Sequence, residues 1–125
     1  MIEGFIFIWV LITSFLQITH IFEEIHLEAY NIMKGKVSKK KYFLVASILI
    51  LLNYIVILLL YFKNTFGYYA AFYTVFMSIG NTLAHLIMFI KEKDKKSFGY
   101  GLPSSIPLGI SGCILLILLV QFLIS

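Results

Sequence analysis

Charged residues are scarce in this chain of 125 residues, and arginine is absent. Only 13% of the residues are charged, whereas 61% are hydrophobic, and the mean hydropathy is +0.97. A soluble domain has about 25% charged and about 45–50% apolar residues. The chain has too few charges to cover a water-soluble globule, so its composition indicates an integral membrane protein, and its length permits one domain.

Other absences narrow the chemistry. Cys113 is the single cysteine, which excludes an intramolecular disulfide and a thiolate metal cluster, and we expect it to pack inside a membrane span. No basic residue precedes the first apolar run and no small-residue cleavage site follows it, so we expect no cleavable signal peptide. The chain lacks the zincin motif His-Glu-x-x-His, and it offers no Ser or Cys nucleophile with a base at fixed spacing.

Four apolar runs are long enough to cross a bilayer. At 1.5 Å per helical residue, about 20 residues match a hydrocarbon core of about 30 Å. The runs cover about residues 2–22, with a helical extension to about residue 30, then 42–62, 66–90 and 102–123. We therefore predict an all-α fold, a polytopic membrane protein built as a bundle of four transmembrane helices.

The lysines predict the topology. Between the second and third runs there is only Lys63, whereas the other nine lie in the two remaining connections, at positions 34, 36, 39, 40, 41, 91, 93, 95 and 96. Cytoplasmic loops carry an excess of basic residues, so we expect both Lys-rich loops in the cytoplasm and both termini outside. The net charge of +4 then reflects topology and attraction to anionic lipid, not nucleic-acid binding.

Ionisable residues appear where the first span ends, in His20-Ile21-Phe22-Glu23-Glu24, although residues 4–19 carry no charge. A charge at the bilayer centre costs between about 2.5 and more than 10 kcal/mol, so such residues indicate a functional site. At about 100° per residue, one face of this helix carries a polar stripe. Its members are Thr13, Gln17, His20 and Glu24.

A second polar stripe follows the third span, and it consists of Thr74, Ser78, Asn81, Thr82 and His85. Polar residues in a span face other helices or a cavity, so we expect the two stripes to face each other in the cytoplasmic half of the bilayer. Asn53 in the second span is explained by one interhelical hydrogen bond. We expect several aromatic residues at the interface or toward lipid, namely Trp9, Tyr42, Tyr68, Tyr69 and Tyr100.

Three short segments together resemble the HXXEE-domain family of small bacterial integral membrane proteins. They are His20-x-x-Glu23-Glu24, Asn81-x-x-x-His85 and Tyr100-Gly101-Leu102-Pro103, in the family's order and across nearly the whole chain. The resemblance implies a single HXXEE-type transmembrane domain over residues 1–125. The family's function is undetermined, and its polar residues have suggested an enzyme. The chain departs from the family's Gly-Pro segment by reading Gly-Leu-Pro.

The spacing of the motif also suits a metal ion. His20 and either Glu23 or Glu24 lie about one helical turn apart, and His85 could add a ligand from the facing helix. We predict a metal site formed by His20, Glu24 and His85, with Zn²⁺ as the first choice and Fe or Mn as other candidates. The predicted catalytic residues are Glu23 and Glu24, one as ligand and one as general base, and Asn81, which would orient a ligand or donate to an oxyanion.

The predicted function is a metal-dependent, hydrolase-like membrane enzyme that acts on a lipid, a peptide or another amphiphile at the cytoplasmic face. Its predicted partners are membrane lipids, this substrate and, as an option, a second copy of the chain. Three alternatives stay open. The site could use His20 or His85 as a metal-free general base. It could serve a non-catalytic accessory, immunity or transport component that binds an ion or partner. It could also be a polar network that only holds the bundle together.

Overall fold

A computed structural model describes residues 1–29, 37–92 and 101–125 of the chain. This part of the chain forms four helices and no strand. They are α1 (Ile2–His26), α2 (Lys39–Tyr61), α3 (Thr65–Glu92) and α4 (Leu102–Ile124). Each helix is long and apolar enough to cross a membrane. The prediction of an all-α bundle with four membrane-spanning helices is confirmed, and the protein is a multi-pass membrane protein.

Helix α1 continues through the ionisable motif without interruption. It ends at His26, because Glu28 adopts a backbone φ of 53°, in the left-handed region that does not propagate a helix. The helix is therefore shorter than the predicted extension to about residue 30. His20 and Glu24 both precede this end, so they lie one turn apart on the same face.

A short turn makes α2 and α3 antiparallel neighbours. Ser38 caps α2 by accepting a hydrogen bond from the backbone N–H of Lys41 at 3.3 Å. At the other end, Lys63 has a φ of 54°, and the Asn64 side chain accepts from the backbone N–H of Phe66 at 2.9 Å. The α1 C-terminus, α2 N-terminus, α3 C-terminus and α4 N-terminus consequently lie at one end of the bundle.

Helix α4 packs closely against α3 through glycines. A Cβ added to Gly109 would lie 2.5 Å from Thr82 Oγ1, and one added to Gly112 would collide with Ser78. Small residues allow close helix approach in membranes. Cys113 lies within the fourth span, as predicted, but it is exposed, so our expectation that it packs there against its neighbours is wrong.

The bundle interior is divided into an apolar half and a polar half. Buried apolar side chains fill the half that contains the α1 N-terminus, and they are Ile6, Val10, Val56, Leu60, Tyr68, Ala71, Val75, Leu115 and Leu119. The buried polar residues begin at Thr13 and Ser111 and extend to the other end. Tyr68 and Tyr42 are only 6% and 9% exposed, which corrects our expectation that they face lipid or the interface.

Candidate metal site

All four helices contribute to a cluster of polar side chains at one end of the bundle. His20 and Glu24 come from α1 and His85 from α3, and they are 0%, 7% and 3% exposed. Tyr42 from α2 and Ser104 from α4 contact them. Buried ionisable groups need partners of opposite charge, hydrogen bonds or a metal ion, and these three lie together.

Three potential ligand atoms converge in the cluster. Nε2 of His85 lies 2.9 Å from Oε1 of Glu24 and 3.1 Å from Nε2 of His20, and this second nitrogen lies 3.3 Å from Oε1 of Glu24. A tetrahedral ion with ligands at about 2.0–2.2 Å separates its ligand atoms by about 3.3–3.6 Å. The distance of 3.3 Å between His20 and Glu24 matches this range, and the other two are shorter, at hydrogen-bond length.

The contacts of Ser104 relate the position of its hydroxyl hydrogen to the tautomer of His20. The Ser104 oxygen lies 3.1 Å from the carbonyl oxygen of Gly101 and 2.6 Å from His20 Nδ1. If the hydroxyl donates to Gly101, its oxygen accepts from His20 Nδ1–H, and Nε2 then presents a lone pair to Glu24 and His85. If it donates to Nδ1, the His20 proton is on Nε2 and faces the cluster.

The second carboxylate oxygen of Glu24 has a partner of its own on α2. The Tyr42 hydroxyl donates a hydrogen bond to Oε2, while Oε1 faces the two histidines. This contact orients the carboxylate as the outer partners of metal ligands do. Sequence reasoning missed Tyr42 as part of the site. The one available signal was its position at the start of the second span, at the level where the first span ends.

Gly101 brings α4 against both imidazole rings. Its φ of 112° lies in a region that residues with a Cβ rarely adopt. An added Cβ would lie 2.9 Å from Cε1 of His20 and 3.3 Å from Cε1 of His85. The two rings meet edge to face, with centroids 4.9 Å apart. His85 Nδ1 is buried without a hydrogen-bond partner among the described residues, so packing rather than a hydrogen bond to this atom orients its ring.

The two predicted stripes touch directly at the cluster but diverge along the rest of the bundle. Asn53 of α2 bridges them, since it donates to Gln17 at 2.7 Å and accepts from Thr74 at 3.1 Å. We expected one interhelical hydrogen bond for Asn53, and the structure shows two. On α3, the Thr82 hydroxyl donates to the backbone of Ser105, so this part of the stripe faces α4 instead of α1.

The remaining predicted site residues lie beside the cluster. Glu23 is partly exposed and is not among the side chains whose ligand atoms converge. Asn81 is partly exposed and lines a cavity that also includes Glu24. His26 is exposed. The three predicted metal ligands, His20, Glu24 and His85, lie together. Tyr100, which belongs to the third segment of the family resemblance, lies outside the described residues.

Comparison of the chain with protein-family models, with curated protein sequences and with solved structures found no match.

Replacing Gly101 with Ala tests whether this backbone position shapes the cluster. We expect Gly101→Ala to lower the free energy of unfolding by about 1–3 kcal/mol, because the residue must keep a positive φ while its Cβ meets both rings. Thermal unfolding in detergent measures the change. Gly4→Ala is the matched control, since a Cβ there meets no atom within 4 Å. Equal unfolding temperatures for the two variants would contradict the expectation.

Proposed function

We propose that His20, Glu24 and His85 bind one divalent cation, and that this ion supports hydrolysis of an amphiphile at the membrane. The observation that carries the proposal is the convergence of two imidazole nitrogens and one carboxylate oxygen within 3.3 Å of one another. The comparisons with known proteins contribute nothing, and the resemblance to the HXXEE-domain family stays a prediction.

In the tautomer that has the His20 proton on Nδ1, a cation would satisfy the cluster better than hydrogen bonds alone. With its proton on Nδ1, neutral His20 offers only a lone pair to the cluster, and an ionised carboxylate is acceptor-only. The neutral His85 ring can place at most one N–H between these two acceptors. One cation would satisfy all three lone pairs at once. Because the cluster is buried, unpaired polar groups in it would cost much free energy, and the cation would remove that cost.

The donor set fits zinc. Two histidines and one glutamate with a fourth position open are typical of catalytic zinc sites, and a bound Zn²⁺ activates water and polarises a carbonyl group. Iron and manganese accept the same ligands. The described residues form one such cluster, which supports a mononuclear centre. In this assignment Tyr42 and Ser104 position the ligands Glu24 and His20.

The division of the interior favours chemistry at one end over transport across the bilayer. Polar residues continue from the cluster through Gln17 and Asn53 to Thr13 and Ser111. Beyond them the described part of the bundle is closed by the buried apolar half, including Val10. An ion or proton pathway needs polar groups or water along its full length, and this interior supplies them along only part of the bundle.

The proposed reaction is hydrolysis of an ester or amide. The water oxygen bonds to the carbonyl carbon, the bond from that carbon to the leaving oxygen or nitrogen breaks, and the leaving group takes up a proton. Asn81 lies beside the cavity at Glu24, where its amide could donate to the carbonyl oxygen. Glu23 stands outside the ligand cluster, so its assignment as general base stays a prediction.

We further propose that the cluster lies on the cytoplasmic side. The described lysines near the cluster are Lys39, Lys40 and Lys41 at the start of α2 and Lys91 at the end of α3, whereas Lys63 lies at the opposite end. The positive-inside tendency supports a cytoplasmic position for the Lys-rich end.

Metal analysis of the purified protein tests the proposed centre. After Zn²⁺ loading and removal of free ion, we expect about one ion per chain in the wild type and nearly none in His20→Ala or His85→Ala. His26→Ala is the matched control, because His26 is exposed and outside the cluster. Binding of Co²⁺, whose visible spectrum reports coordination geometry, gives a second measurement on the wild type alone.

A wild-type protein that holds far less than one ion per chain under these conditions would overturn the metal assignment. So would an equal loss of metal in His26→Ala and His20→Ala, because it would show non-specific binding. If the site variants fail to fold, the wild type still decides the question. A specific ion should raise its unfolding temperature, and removal by a chelator should reverse the rise.

Ser104→Ala tests the orientation of His20. We expect the metal affinity to fall about 10–100-fold with one ion still bound at saturation, because His20 Nδ1–H loses its acceptor. Competition with a chelator of known affinity measures the change. Ser47→Ala is the control, since Ser47 is exposed on α2 and its hydroxyl bonds only its own helix backbone. An unchanged metal affinity in Ser104→Ala would show that Ser104 does not orient His20 for metal binding.

Cysteine labelling in intact cells tests the orientation. In a Cys113→Ser background, we expect Lys63→Cys to react with a membrane-impermeant maleimide and Lys40→Cys to react only after permeabilisation. Both positions are exposed, so burial does not limit either reaction. The opposite labelling order would place the cluster on the outer side, and it would leave the metal assignment unaffected.

A further inference from the structure

A cavity of about 360 Å³ lies between α1, α2 and α3 and reaches the candidate metal site at Glu24. This volume falls within the range of about 300–1,000 Å³ that is typical of small-ligand sites. Much of its wall is apolar, with Val45 and Leu49 on α2 and Phe76 and Met77 on α3. Binding of a metal ion alone would leave this space unexplained.

Polar groups gather where the cavity meets the cluster. Glu24 and Tyr42 line it and are hydrogen-bonded to each other. Gln17 also lines it, and its Oε1 accepts from Asn53. The Asn81 side chain makes no hydrogen bond to any residue in the described part of the chain, so its amide is available to an occupant. The cavity therefore combines an apolar wall with a polar end that holds a free donor.

The cavity opens sideways, toward the surface that faces lipid. Val45 on α2 and Phe76 and Gly80 on α3 line it and are exposed. They belong to helices that are long and apolar enough to span a membrane, so a bilayer around these helices would place hydrocarbon outside this opening. Tyr42 and Leu49 also line the cavity, and their separation of seven residues corresponds to about 10 Å along α2.

Chemistry distinguishes the candidate occupants. A peptide would bring backbone N–H and C=O groups against apolar walls, and each unpaired group there costs several kcal/mol. An acyl chain carries no such group along its length. It has polar atoms only at its linkage, where the cavity presents Asn81 and the cluster. An acyl chain from the surrounding bilayer therefore matches both the walls and the end of the cavity.

We propose that this cavity receives one acyl chain of a membrane lipid, which enters between α2 and α3 and brings its ester or amide carbonyl to Asn81 and Glu24. The assignment rests on the proposed function, and it defines the substrate class as an acyl lipid taken directly from the bilayer. Water adds to the carbonyl carbon as described above. The carboxylic acid stays with the chain in the cavity, and the alcohol or amine, which has taken up one proton of the water, leaves with the headgroup.

Photolabelling inside a bilayer tests the occupant. The probe is phosphatidylcholine with a diazirine in one acyl chain, mixed into vesicles of phosphatidylcholine and phosphatidylglycerol that hold the full chain. Mass spectrometry then compares two residues of α1. Ile21 lines the cavity and is 5% exposed, whereas Phe15 is 69% exposed. We expect labelling of Ile21 in the wild type in spite of its burial from bulk lipid.

A substitution at Gly80 should exclude the chain without disturbing the fold. A Cβ at Gly80 meets no atom within 4 Å, so Gly80→Leu has room to extend into the cavity. We expect the ratio of Ile21 to Phe15 labelling to fall about tenfold. Gly4→Leu is the matched control, because Gly4 is equally uncrowded and does not line this cavity. Metal content of the same samples should be unchanged.

Several outcomes would overturn the proposal. One is labelling of Ile21 as low as that of Val10, which is 0% exposed and does not line the cavity. Equal labelling of Ile21 in Gly80→Leu and Gly4→Leu is another. Labelling of Ile21 only in detergent-dispersed monomers would show that a second copy covers the opening in the bilayer. Full metal content with no labelling of Ile21 would refute acyl-chain binding and leave the metal assignment intact. Labelling without metal would support the cavity and refute the metal-dependent function.

Discussion

Burial of the Glu24 carboxylate is the constraint on which the polar half of the protein depends. A carboxylate inside a membrane bundle is costly unless partners replace the water it has lost. Here one oxygen faces His20 and His85, and the other accepts from Tyr42. These partners come from three helices, so compensation of a single charge requires α1, α2 and α3 to meet at one level of the bundle.

Helix α4 completes the arrangement through small residues. Gly109 lets α4 approach α3, and Gly101 lets its first turn reach the two imidazole rings. From there the Ser104 oxygen can accept a hydrogen bond from His20 Nδ1–H, which leaves the Nε2 lone pair facing the cluster. Packing and proton position are therefore linked: without close approach of α4, nothing in the described chain would select this tautomer.

Helical periodicity was enough to predict that His20 and Glu24 lie together on α1, because Glu24 follows His20 by four residues and the helix runs unbroken through both. The lysine distribution then placed His85 at the same level. Periodicity does not determine how two helices are rotated against each other, so the contacts of Tyr42 and Ser104 could not be derived. The same limit explains the incorrect expectation for Cys113, whose exposure depends on which face α4 turns to α3.

The two halves of the interior and the sideways cavity together constrain what such a site can do. Near the Lys-rich end, the cluster lies within about two helical turns of the end of α1, within reach of an aqueous phase. The cavity leads from Glu24 to the exposed surface of the bundle beside Phe76, while apolar packing that includes Leu115 closes the opposite half. Hydrolysis of an acyl lipid needs water from one side and an acyl chain from the bilayer, and it needs no passage through the protein. Transport needs such a passage, and so the arrangement of the described residues favours a reaction over a pathway.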